Sequence, residues 1–172
     1  GGDENAFPGE NRILVPSPRE VRTYDLKPEM SAPLVTEKLL AVLSQGNYHF
    51  VVVNFANPDM LGHTGNYAAA VKSLEVLDQC LSKVIDWVEK HSAFAVLTAD
   101  HGNCEMMQDE KGGPMTSHTL LPVPFIVIDP KRKTMKLKAQ GKLCDVAPTF
   151  LNLWSLEQPK AMTGSSMIES FQ

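Results

Sequence analysis

FAVLTADHGN, residues 94–103, is the stretch on which the fold turns. Phe94-Ala95-Val96-Leu97 is an unbroken apolar run, as expected of a strand buried on both faces. Asp100, His101 and Gly102 follow almost at once, so a carboxylate and an imidazole stand at the end of that strand.

The same arrangement recurs on either side. Phe50-Val51-Val52-Val53 reads as a buried strand, and the loop 54–65 after it carries Asn57-Pro58-Asp59-Met60-Leu61-Gly62-His63. Phe125-Ile126-Val127-Ile128 reads as a third strand, preceded by Thr116-Ser117-His118-Thr119. Helices are expected between and around them. One starts near Ser31 as N-cap, with Pro33 in its first turn, and stops at Gly46. A long one runs from about Asn66 to Lys90, with Val71, Leu74, Leu77, Leu81, Val84, Ile85 and Val88 at helical spacing. A last one, Val146 to Leu153, has Asp145 as a cap, and the tail after Trp154 reads as loop. This alternation predicts an α/β fold with a mostly parallel sheet sandwiched by helices. Ligands in such folds bind beyond the carboxyl ends of the strands.

The 172 residues suit one domain, 1–172, with residues 1–30 as an extended, Pro- and Gly-rich N-terminal segment that lies over the body. Apolar residues at 43% and charged residues at 21% exclude a wholly disordered chain. A net charge of −4 with scattered Lys and Arg argues against nucleic acid as a partner. No apolar run is long enough to span a membrane, and GGDENAFPGE at the start has no apolar signal region. Cys80, Cys104 and Cys144 form neither a disulfide framework nor a zinc ribbon; reduced thiols in a cytoplasmic protein are the simplest expectation.

Two Asp and three His thus come to one edge of one sheet. Ionised carboxylates with neutral imidazoles suit a hard-to-borderline divalent cation such as Mn, Zn or Mg. Asp59 and His63, four apart, meet one ion if their segment makes a single turn. Asp100 and His101 are adjacent and their side chains diverge, unless irregular backbone at Gly102 turns both inward. Two ions about 4 Å apart would clamp the attacking and leaving oxygens of a phosphoryl group. Taken singly, each pair reads more readily as a solvated pair, and it is their joint placement at strand ends that brings the metal reading level with that one.

The wording of the motifs goes further. NPDMLGHTG, TADHGN and SHTLLPVPF, in that order and after VPSPREVRTYDLKPEMSA, resemble the cofactor-independent phosphoglycerate mutases of the alkaline phosphatase superfamily. The resemblance runs from Gly1 to the final helix and implies an alkaline-phosphatase-like fold, incomplete without an upstream segment. It implies that Asp59, His63 and His118 hold one metal and that Asp100 and His101 belong to the other. The pair of ions would be manganese, with zinc, magnesium or cobalt as alternatives. The implied reaction interconverts 3-phosphoglycerate and 2-phosphoglycerate through a phosphoserine, with no bisphosphoglycerate.

In that family the nucleophilic serine, a further aspartate ligand and the residues that hold glycerate lie upstream of the matched region. No catalytic residue is therefore assigned within this chain. Ser31 reads as a helix cap, Ser117 as orienting its loop, and Ser165 as part of a polar tail. The expectations are a fragment inactive alone, at most one well-formed ion in it, and an upstream part of the same enzyme as partner. Two other readings stand beside this one: a phosphopentomutase or phosphatase of the same superfamily, and a non-catalytic interaction domain that keeps the metal loops as relics.

Overall fold

The computed structural model describes residues 5–171, and the chain divides into two compact units. The first comprises Gly1–Trp87 with His101–Pro122; the second comprises Val88–Asp100 with Val123–Gln172.

In the first unit, a short 3-10 turn at Tyr24–Leu26 leads into α1 (Ala32–Gln45). Gly46 closes α1 in the left-handed conformation, φ 69°, and its N–H bonds the Leu43 carbonyl. Ser31 does not cap α1 as expected: its hydroxyl donates instead to the Pro16 carbonyl at 2.7 Å, which ties the N-terminal segment to the helix start. Of the apolar patch at 13–15, Ile13 and Leu14 are exposed.

The expected strand Phe50–Val53 does not form. It has no ladder partner among the described residues, and Val52 is 78% exposed. β-branched residues favour extended chain, but a strand needs a neighbour to satisfy its N–H and C=O groups. The following loop contains a helix that the Asn-Pro-Asp run did not announce, α2 (Asn57–Gly62), with Pro58 in its first turn. Asn57 anchors it, donating from Nδ2 to the carbonyls of Pro28 (3.1 Å) and Glu29 (2.9 Å).

A turn at Gly65, φ 69°, separates α2 from α3 (Tyr67–Lys90), which passes from the first unit into the second. Asn66 accepts the Ala69 N–H at 3.2 Å and so caps the start of α3. The small residues Ala69, Ala70 and Ser73 are the buried ones there, while Val71 and Leu74, expected inward, are exposed. Met30, Leu61, Ala69, Ala70 and Met107 form this unit's core.

In the second unit, β1 (Ala95–Thr98) pairs with β2 (Phe125–Ile128) from Ala95↔Ile128 to Thr98↔Phe125. The ladder is antiparallel, where a parallel sheet was expected. Four-residue apolar runs do not encode direction. A parallel return needs a crossover, usually a helix, and residues 99–124 contain none. A second antiparallel pair, β3 (Lys136–Leu137) with β4 (Ile168–Ser170), lies partly in the tail read as loop. Between them α4 (Val146–Leu153) spans the expected residues. Asp145 does not cap it with its side chain; the carboxylate accepts the N–H groups of Lys142 (2.8 Å) and Ser165 (2.7 Å). Thr149, wholly buried, donates to the Asp145 carbonyl at 2.7 Å and accepts the Met167 N–H at 2.8 Å. Phe94, Phe150 and Trp154 cluster with ring centroids 5.5–5.7 Å apart. The described helices and strands are those of an α/β chain. None of the described helices is long and apolar enough to cross a membrane.

Candidate metal centre

Asp59 and His63 sit one turn apart on α2, with His63 at its end. His63 Nε2 lies 3.1 Å from Asp59 Oδ1. His118 arrives from a different segment and places Nε2 3.0 Å from the same oxygen and 3.1 Å from His63 Nε2. His101 stacks on His118, with ring centroids 3.6 Å apart and planes at 21°. One ligand atom from each of Asp59, His101 and His118 falls within 4.8 Å of the other two. Asp100 follows β1 in the second unit and is exposed. His101 therefore joins the cluster that the motifs gave to Asp59, His63 and His118, rather than standing only with Asp100.

Local backbone explains the meeting of the two outer histidines. Residues 102–119 fold back as a hairpin, with isolated bridges at Gly102↔Thr119 and Gln108↔Pro114. The Thr119 N–H bonds the Gly102 carbonyl at 2.9 Å, and the Met115 N–H bonds that of Met107 at 2.9 Å. His101 and His118 stand at the base of its two arms. Cys104, on the first arm, donates to the Pro58 carbonyl at 2.7 Å and ties the hairpin to α2. Gly65 lets the second arm approach: a Cβ there would meet Pro114 at 3.1 Å and Thr116 at 3.2 Å.

Residues that the sequence did not single out hold the donors in place. His63 Nδ1 is 2.6 Å from the Thr116 carbonyl. A carbonyl only accepts, so Nδ1 carries the proton and Nε2 presents a lone pair to the cluster. Asn103 is buried and gives Nδ2 to both the Asp59 carbonyl (3.1 Å) and Asp59 Oδ1 (2.8 Å). Its Oδ1 has no hydrogen-bond partner and faces Gly62, where any Cβ would collide with it. Burial pushes the Asp59 carboxyl up, but the Asn103 amide and the imidazoles of His63, His118 and His101 outweigh it, and the group lies below the usual carboxylate range. The only textual sign of these roles was that Asn103 and Thr116 sit inside the polar runs around His101 and His118.

A divalent ion suits this donor set. Such ions hold imidazole nitrogen and carboxylate oxygen at about 2.0–2.2 Å. Two ligands at right angles at that distance are about 3 Å apart. The three edges of the Asp59–His63–His118 triangle are 3.1, 3.0 and 3.1 Å. Two imidazole nitrogens facing each other at that range repel unless a proton or a cation lies between them. Side-chain exposures of 35% for Asp59, 39% for His63 and 48% for His118 leave the triangle partly accessible to solvent.

A donor set of this kind is what a divalent metal ion requires, and the chain belongs to the metalloenzyme superfamily, whose family model matches residues 1–158. Within that superfamily its relatives are 2,3-bisphosphoglycerate-independent phosphoglycerate mutases. It is 53% identical to the enzyme so named from Syntrophotalea carbinolica, over 98% of this chain and 33% of that protein. It is 52% identical to the one from Hahella chejuensis, over 98% of this chain and 32% of that protein. A crystal structure of Leishmania mexicana phosphoglycerate mutase at low cobalt concentration superposes with a TM-score of 0.81 at 34% identity, over 92% of this chain and 31% of that one. The chain spans about a third of the length of the curated relatives it matches.

Proposed function

We propose that this chain is the metal-holding portion of a cofactor-independent phosphoglycerate mutase, which moves a phosphoryl group between the 3- and 2-hydroxyls of glycerate. The observation that carries this is the solvent-accessible triangle of Asp59 Oδ1, His63 Nε2 and His118 Nε2, with edges of 3.0–3.1 Å. The names of the relatives supply the substrate class. The step belongs to glycolysis and gluconeogenesis, which fits a cytoplasmic enzyme.

Asp59, His63 and His118 would hold one divalent ion, with His101 against the same cluster and Asp100 assigned to a second. Manganese is the first choice, with zinc, magnesium and cobalt as alternatives; that the Leishmania mexicana enzyme was crystallised at low cobalt concentration supports a divalent ion. When bound, such ions lower the pKa of an attacking hydroxyl and offset charge on the migrating phosphoryl group. The residues here have the complementary tasks. Asp59 supplies negative charge at an oxygen fixed by Asn103. His63 is locked in one tautomer by Thr116. The triangle's partial access to solvent leaves room for a phosphoryl oxygen.

The phosphate-carrying serine is proposed to lie outside this chain, which acts as one domain of a larger catalytic body. Ser31 is committed to the Pro16 carbonyl, and Ser165 and Ser117 keep the readings given above. The test is a coupled isomerisation assay with manganese. We expect no turnover from this chain alone, and turnover when it is mixed with the upstream two-thirds of a relative such as the Syntrophotalea carbinolica enzyme. Full turnover by this chain alone would overturn the assignment of the nucleophile. Release of inorganic phosphate, or isomerisation of pentose phosphates instead, would overturn the substrate.

A further inference from the structure

We propose that Glu105 is a positioning residue for the metal cluster: its carboxylate clasps the hairpin arm that begins at His101 to the arm that ends at His118. One oxygen, Oε2, accepts the Asn103 N–H at 2.7 Å. The other, Oε1, accepts the hydroxyl of Thr119, the residue after His118. Thr119 is buried, and its N–H completes the link by bonding the Gly102 carbonyl at 2.9 Å. Its hydroxyl oxygen also accepts the Leu121 N–H at 3.3 Å, which orients its proton toward Glu105.

Two independent features mark this as a built contact rather than a solvated glutamate. Gly102 has no room for a side chain, because a Cβ there would collide with Glu105 Oε1 and Thr119 Oγ1 together. Both carboxylate oxygens are also engaged although the residue as a whole is exposed. An ionised carboxylate accepts at both oxygens, which suits a site with one backbone and one hydroxyl donor. Burial pushes the Glu105 carboxyl up, but Thr119, the backbone N–H groups of Glu105 and Asn103, and the charge of His101 bring it below its usual range. The same clasp reaches Asp59, since Asn103 donates its backbone N–H to Glu105 and its side-chain amide to Asp59. Three cluster residues thus depend on one carboxylate that touches none of the proposed metal sites directly.

This rests on the reading of Asp59, His63 and His118 as metal ligands, and the experiment separates the two. Binding of manganese alone to the full chain is measured by calorimetry for wild type, Glu105→Gln, Thr119→Val and the double variant. The visible absorption of bound cobalt is recorded in parallel as a report of coordination geometry. Glutamine replaces one acceptor with an N–H donor, so the Thr119 hydroxyl, which already accepts the Leu121 N–H, loses the acceptor for its proton. Each single variant is expected to weaken manganese binding about 10-fold, the effect typical of partners that orient a ligand. The double variant should be no weaker than the weaker single, because both changes open one link. The cobalt spectrum should shift in Glu105→Gln, which a loss of folding stability alone would not produce. Wild-type binding and spectra in both single variants, or effects that multiply in the double, would overturn the role of Glu105 alone. Absence of manganese and cobalt binding in wild type would overturn the metal reading with it. Should Glu105→Gln fail to fold, Thr119→Val carries the same test.

Discussion

His63 and His118 point their Nε2 atoms at each other across 3.1 Å, and each lies within 3.1 Å of Asp59 Oδ1. Lone pairs and a carboxylate in that arrangement repel one another unless a hydrogen-bonding proton or a divalent ion lies among them.

Asp59→Ala removes the shared oxygen. At manganese concentrations of 100 times the dissociation constant, binding to the native state alone raises stability by about 2.7 kcal/mol. The wild-type chain should show that gain in thermal denaturation and lose it on chelation. The variant should show neither.

Gly62→Ala tests the packing beneath the cluster. The new methyl would strike the Asn103 side chain, whose amide holds Asp59. Overpacking of this kind costs about 1–3 kcal/mol. Chemical denaturation should show that loss, and calorimetry should show weaker manganese binding, since Asn103 must move to admit the methyl.

Thr149→Val changes the second unit without touching the cluster's donors. The wholly buried hydroxyl links the Asp145 carbonyl to the Met167 N–H. Its loss strands both groups, at a cost of about 1–3 kcal/mol. Denaturant unfolding should report that decrease, with manganese affinity unchanged.

Asp145 supplies a pH dependence. The N–H groups of Ser165 and Lys142 hold its carboxyl below the usual carboxylate range. A carboxyl depressed on folding contributes stability that is present above its unfolded value, near pH 4, and is lost as pH falls through the lower folded value. Asp145→Asn should therefore be less stable than wild type at neutral pH, and the difference should shrink as acid is added below about pH 4. Thermal midpoints across that range would show it.

Much of this was legible in the residues, and the rest failed for physical reasons. Gly46 and the apolar spacing announced α1 and α3, the Phe94 and Phe125 runs announced β1 and β2, and the four-residue spacing of Asp59 and His63 allowed them to meet on condition of a turn, which α2 supplies. The direction of β1 against β2 was hidden because it depends on the path of residues 99–124, not on the strands. Phe50–Val53 has the composition of a strand, but composition does not provide a neighbour. The inward face of early α3 was misplaced because Ala69, Ala70 and Ser73 allow close packing, and small residues carry little hydrophobic signal. His101 joins His118 through pairing of Gly102 with Thr119, a contact between distant residues that no local spacing encodes.

That hairpin also bears on how the cluster assembles. Each half is prefabricated: Asp59 and His63 share one helical turn, and His101 and His118 share one hairpin base. Bringing them together requires a single long-range closure rather than three. Because closure entropy rises by only about 0.6 kcal/mol per doubling of loop length, an insertion at the exposed turn after α3, at His91 and Ser92, should leave the cluster's formation nearly unaffected. An insertion beside Gly102 or Thr119, which breaks the pairing at the hairpin base, would separate its two histidines directly.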